Sequence, residues 1–124
     1  MRRRWVAVSA VVACLALAAP LAAFAAGTGT TAAKATTIAV IAGKPTEFHF
    51  TLSKKAAAKG AVTFKITNRG KLAHDFKIGG KTSKMVQPGK STTLKVVLKA
   101  GKQKYECTVP GHAAAGMKGV LVVK

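Results

Sequence analysis

Cysteine and acidic residues are both scarce in this chain: its 124 residues hold two Cys and three carboxylates, Glu47, Asp75 and Glu106, against 21 Lys and Arg. One thiol, Cys14, falls within an apolar N-terminal run, so the rest of the chain keeps Cys107 alone and has no partner for an intramolecular disulfide. The shortage of acids leaves a formal net charge of +18, and a surface so basic seeks anions. Nucleic acid is the usual anion for such a balance, yet two further shortages argue against it. Beyond the N-terminal run there is one arginine, Arg69, and no exposed aromatic pattern interleaves with the lysines, which are scattered singly along alternating stretches. A convincing helical period is missing as well.

The N-terminus has its own character. Arg2-Arg3-Arg4 precedes an uncharged Ala/Val/Leu-rich run from Trp5 to Ala26, broken only by Pro20. A basic start, an apolar middle and the small-x-small Ala23-Phe24-Ala25 make an export signal with the cut after Ala25. Residues 1–25 are then a signal peptide, residues 26–35 a flexible tether of Gly, Thr, Ala and one Lys, and residues 36–124 one small domain. Uncleaved, the same run is long enough to span a bilayer and anchor the domain. Val11-Val12-Ala13-Cys14 loosely resembles a lipobox, which would lipidate Cys14, and the Arg run loosely resembles a twin-arginine signal. Every version exports the domain, to the periplasm or the extracellular face of the membrane. Without the signal, 18 basic residues less three acids give a net charge of +15.

Strand signals fill the domain. Thr36 to Ala42 is β-branched and apolar and ends in the turn residues Gly43-Lys44-Pro45. Glu47 to Leu52 alternates, with Phe48, Phe50 and Leu52 on one face and Glu47, His49 and Thr51 on the other, so His49 is expected at the surface. Lys54 to Lys59 is expected to be a loop. Val62, Phe64 and Ile66 alternate with polar residues up to Asn68-Arg69-Gly70, and His74, Phe76 and Ile78 share a parity that puts His74 at the end of an inward row. Thr82 to Val86 is a short strand with Met85 in the core, followed by Ser91 to Lys99 and Lys102 to Thr108. Val120 to Val123 closes the chain as a continuous buried strand. Seven to eight short strands separated by turns argue an all-β sandwich with antiparallel, Greek-key pairing.

The chemistry gathers in Tyr105-Glu106-Cys107-Thr108-Val109-Pro110-Gly111-His112-Ala113-Ala114-Ala115-Gly116-Met117. A thiol, an imidazole and a thioether recur there at equal steps, with a Pro-Gly turn to bend the backbone so that they converge. Soft sulfur with imidazole is a copper ligand set. A trigonal site of two imidazoles and a thiolate needs one more histidine from elsewhere, and His74 is the candidate. A lone thiol outside the cell invites oxidation, and metal coordination is a physical reason to keep one.

Asn68-x-Gly70, His74-Asp75-Phe76, Gln87-Pro88-Gly89 and the spaced Cys107, His112 and Met117 together resemble the cupredoxin family of small blue-copper proteins, in particular its plastocyanin/azurin-like bacterial members, from about Thr46 to Val123. The resemblance implies a Greek-key β-sandwich holding one type 1 copper ion, with Cys107, His74 and His112 as strong equatorial ligands and Met117 as the weak axial one. It also implies that His112 shows its ring edge in an apolar patch of Val109, Pro110, Ala113, Ala114 and Ala115. Asp75 stands where the family commonly has Asn, and a carboxylate there would favour Cu(II). The function expected is one-electron transfer between redox partners with acidic docking surfaces, by a monomer that is not an enzyme. The alternatives are a copper storage or chaperone module of the cell envelope and a copper-free basic sandwich that adheres to anionic polymers, with zinc or nothing in the pocket.

Overall fold

The computed structural model describes Gly27 and residues 34–124. The expected signal peptide and most of the expected tether lie outside the described residues. Among those described there are nine strands and no helix: β1 (Thr36–Ala42), β2 (Phe50–Leu52), β3 (Ala56–Ala57), β4 (Gly60–Asn68), β5 (Lys77–Ile78), β6 (Lys81–Thr82), β7 (Ser91–Leu98), β8 (Gly101–Glu106) and β9 (Lys118–Val123). They form two sheets, in the orders β2-β1-β4-β7 and β3-β9-β8-β5-β6.

The all-β sandwich follows from the alternation read in the sequence. Ile38, Val40 and Ala42 of β1, Val62, Phe64 and Ile66 of β4, and Leu94, Val96 and Leu98 of β7 are all buried, while their polar neighbours face out. Phe76 and Leu121 join them from the second sheet side, both fully buried. Phe76 stands at the centre, with ring centroids 5.2 Å from Phe50, 5.1 Å from Phe64 and 5.5 Å from Tyr105. Truncating such a residue to Ala costs about 3–5 kcal/mol, so the row that carries His74 is anchored one step beyond it.

Several expectations are corrected. Pairing is mixed, because β1 lies parallel to β4 and β3 parallel to β9. Parallel neighbours need a crossover, and here the chain leaves β1, adds β2 beside it, and gives Ala56–Ala57 to the edge of the other sheet before returning as β4. The stretch from Lys54 to Lys59 is therefore not only a loop. Met85 is 49% exposed and not a core residue, since β6 stops at Thr82 and only Val86 turns inward, bridged to His74. The last strand is not buried on both faces: Val120 and Val122 are exposed, whereas Leu121 and Val123 are buried. A sheet in a two-layer sandwich keeps its outer face in water, and a run of valines hides which face that is.

Strand direction fixes where the loops meet. β1 and β4 end together, with Ala42 opposite Asn68, and β7 begins there, with Ser91 opposite Thr67. β5 and β9 start, and β8 ends, at the same end, since Lys77 and Lys118 both lie opposite Glu106. Loops 43–49, 69–76, 83–90 and 107–117 accordingly share one end of the sandwich. Asn68, fully buried, ties two of them, 69–76 and 83–90: its side-chain amide donates to Leu72 O and Val86 O, and its carbonyl accepts from Gly70 N.

Candidate metal centre

Two loops supply the donors. His74 is held from the backbone, which donates to Val86 O at 3.1 Å and accepts from Val86 N at 2.7 Å. The 107–117 loop closes on itself, for Cys107 N donates to Met117 O and Met117 N donates to His112 O, each at 3.0 Å. Pro110-Gly111 makes the bend between them, with His112 N donating to Val109 O at 3.1 Å and Gly111 at φ +84°. A turn with Pro second and a positive-φ residue third is the type that requires glycine there.

These bonds bring His74, Cys107 and His112 together. Their donor atoms form a triangle: Nδ1 of His74 to Nδ1 of His112 is 3.1 Å, Cys107 Sγ to His112 Nδ1 is 3.5 Å, and Cys107 Sγ to His74 Nδ1 is 4.0 Å. Donors about 2.0–2.3 Å from a central metal, the usual first-row distances, would stand roughly 3.5–4 Å apart in a trigonal arrangement. The three edges straddle that range, so the donor atoms of a thiolate and two imidazoles are spaced to fit a metal. All three are buried, His112 the least so at 9% exposure, and Met117, also expected from the sequence, is buried completely at the foot of the same loop.

Burial raises the Cys107 thiol above its ordinary value, and the backbone N–H groups of Asp75 and Val109 pull it part of the way back. Burial also lowers His112, as does the neighbouring His74. The lowered His112 stays a neutral ring, the form that ligates, whereas the raised Cys107 thiol holds a proton that a metal would have to displace: ligation takes a thiolate and neutral rings.

Two supporting residues complete the site. Asp75, 4% exposed, accepts from Thr108 N at 2.6 Å and from the Thr108 hydroxyl, and so joins the His74 loop to the Cys107 loop with its side chain. Glu47 was expected on an outer strand face, but residues 47–48 form a turn and β2 starts only at Phe50. Its carboxylate swings instead under the His74 loop, accepting from Lys71 N, from Leu72 N and, at 2.8 Å, from Nε2 of His74. Those bonds, with the Lys71 N–H foremost and burial opposing, lower its pKa to about 2. The approach depends on glycines, for a Cβ at Gly70 would collide with the Glu47 carboxylate and a Cβ at Gly43 would collide with Gly70. The one sequence signal for Glu47 was its rarity as an acid in a basic chain.

The surface over the site is uncharged. No residue from Cys107 to Met117 other than His112 is ionisable apart from the thiol itself, and Pro110, Ala114 and Ala115 are exposed. Phe48, expected in the core, is half-buried and meets the His112 ring edge-on at 5.0 Å. His49 is exposed, as expected.

Residues 8–123 match the family described as Cupredoxin-like domain. No curated protein sequence matches the chain. Among solved structures, the chain is similar to rusticyanin from Thiobacillus ferrooxidans, a copper protein, at 27% identity over 74% of this chain and 79% of that one, with a TM-score of 0.58. It is similar to auracyanin from the photosynthetic bacterium Roseiflexus castenholzii at 26% identity, 73% and 98% coverage and a TM-score of 0.55. Auracyanin A, a "blue" copper protein from Chloroflexus aurantiacus, shares the fold at 20% identity, 72% and 98% coverage and a TM-score of 0.58.

Proposed function

We propose that this chain, which belongs to the cupredoxin-like family, is an exported type 1 blue-copper protein that carries single electrons between redox partners and is not itself an enzyme. The observation that carries the reading is the buried triangle of His74 Nδ1, His112 Nδ1 and Cys107 Sγ. His74, Cys107, His112 and Met117 would hold the copper ion. Copper, when bound, supplies the one-electron couple between Cu(I) and Cu(II), for which sulfur and imidazole donors suit both states.

The protein's part is to keep those donors still. His74 is fixed through both its backbone and its Nε2, and Cys107 and His112 are fixed by the hydrogen bonds that close their loop. A site that need not rearrange on oxidation exchanges electrons with little reorganisation. His112 lies nearest the surface, and its ring offers the exit through a loop without charge. Relatives support a redox role: rusticyanin is known in a reduced form, and the Roseiflexus auracyanin was reduced with dithionite. Complete burial of His74 and near-complete burial of Cys107 argue against the alternative of a chaperone, which needs donors an acceptor can reach.

The test is repeated oxidation and reduction of the copper-loaded protein in the presence of an apo-protein acceptor. A carrier shows intense thiolate-to-copper colour that bleaches and returns with its metal retained; Cys107→Ser abolishes the colour. Loss of copper to the acceptor within the first cycles would assign the protein to copper handling instead.

A further inference from the structure

The positive charge is unevenly placed. All three carboxylate side chains lie toward the metal end: Glu47 and Asp75 in its loops, and Glu106 at the last position of β8, next to Cys107. The opposite end has no acidic side chain among the described residues, and the fold gathers lysines there from separate segments. Lys59 N donates to Lys124 O at 2.8 Å, Lys124 N to Ala57 O at 2.9 Å, and Val122 N to Lys55 O at 3.2 Å. Lys102 stands opposite Val122 across β8 and β9, and Gly60 stands opposite Leu98, which brings Lys99 beside Lys59. Lys54, Lys55, Lys59, Lys99, Lys102 and Lys124 are all exposed, and the ion pairs of the described residues use none of them. The chain also enters the domain at this end, where Lys34 and Lys54 line one shallow depression.

We propose that this copper-distal lysine face is a docking surface for an anionic phospholipid bilayer, and that it holds the domain with the His112 loop turned away from the membrane. Each lysine near an anionic lipid surface improves partitioning roughly fivefold, and like charges crowded at one end gain most where an extended sheet of negative headgroups lies opposite. A protein partner would ask for a desolvated apolar centre with aromatic anchors. This face has none: the exposed Val97 and Val122 belong to different sheets, and no aromatic residue lies among the lysines. The apolar run from Trp5 to Ala26 precedes Lys34 in sequence, so a chain that retains it is tethered from the same end. The contact goes beyond electron transfer and holds with or without copper.

The experiment compares two full-length variants of equal net charge. In one, Lys55, Lys59 and Lys102 are changed to Glu; in the other, Lys71, Lys84 and Lys90, which lie in the metal-end loops, are changed to Glu. Cosedimentation is measured with phosphatidylcholine vesicles and with vesicles that also contain phosphatidylglycerol, across a salt series. The N-terminal segment, with Arg2-Arg3-Arg4, is common to all three proteins, so its contribution cancels in the comparison between variants. The unmodified protein should gain binding from phosphatidylglycerol and lose that gain in salt. The copper-distal variant should lose the gain by roughly a hundredfold or more, and the metal-end variant should keep most of it. A milder set with Gln at the same positions should follow the same order. No gain from phosphatidylglycerol, or an equal loss in both variants, would overturn the proposal. So would a copper-distal variant that still binds the vesicles but reacts more slowly with an acidic protein, since the lysines would then serve a protein partner.

Discussion

The Glu47 carboxylate lies 2.8 Å from His74 Nε2, and the same oxygen accepts the Lys71 and Leu72 backbone N–H groups. With Nε2 donating to a carboxylate, the His74 lone pair is committed to Nδ1, the nitrogen that faces Cys107 and His112. A carboxylate on the far side of a ligating imidazole also makes it a stronger donor, which favours the more highly charged metal. Glu47→Gln keeps the size and removes the charge, and should weaken Cu(II) binding about 10–100-fold. That change reads as a rise in reduction potential of about 59 mV per tenfold. Spectroelectrochemical titration checks it; an unchanged potential would reduce Glu47 to a loop brace.

The same carboxylate makes stability depend on pH. Its pKa falls from 4.5 to about 2 in the folded protein. The folded state therefore binds its proton later than the unfolded state, and the stability this confers is fully present above pH 4.5 and drains away as pH falls toward 2. Urea midpoints of the apo-protein should decline through that interval, and Glu47→Gln should decline less. Parallel curves for the two proteins would place the acid sensitivity elsewhere.

The sequence made the metal loop plain and Glu47 invisible, for a physical reason. Cys107 and His112 are local, and the hydrogen bonds that close their loop span few residues, so spacing alone was enough to expect them to meet. His74 was legible because Phe76 and Ile78 extend its parity into the core. Glu47 reaches His74 from a different loop at the same end of the sandwich, distant in sequence, through a turn that breaks the very alternation used to orient it. Asp75 is a related case: alternation beside His74 gave it no inward role, yet it is buried and bridges to Thr108. Met85 and the outward valines of β9 were misread because an apolar side chain on a solvated sheet face looks, in one dimension, like core.

Met117 and His74 should differ sharply as ligands. Replacing Met117, completely buried, by Leu keeps a side chain of similar volume, a change that usually costs less than about 1.5 kcal/mol. If Met117 is the weak ligand proposed, colour and fold should survive while the potential rises. His74→Ala removes an equatorial donor and leaves Glu47 without its ring partner, and should abolish stable copper binding. Equal weakening by the two substitutions, measured by copper titration against a competing chelator, would show that Met117 is not axial.

The final prediction concerns encounter with a redox partner. The 107–117 loop is uncharged, but the loops beside it carry Lys44, Arg69, Lys71, Lys84 and Lys90, with Leu72 and Met85 exposed among them. An acidic partner would be drawn in over long range by the basic loops and would make its close contact on the apolar residues around His112. Because the Debye length shrinks from ~30 Å at 0.01 M salt to ~10 Å at 0.1 M, the association rate should fall steeply across that range. Lys71→Glu, Lys84→Glu and Lys90→Glu together should slow the reaction while leaving the visible spectrum as it was, since none of these lysines touches a donor atom. Stopped-flow oxidation by an acidic and a basic cytochrome across a salt series separates the cases. A rate with the acidic cytochrome that is flat in salt, or a preference for the basic one, would mean that charge at the metal end does not steer electron transfer.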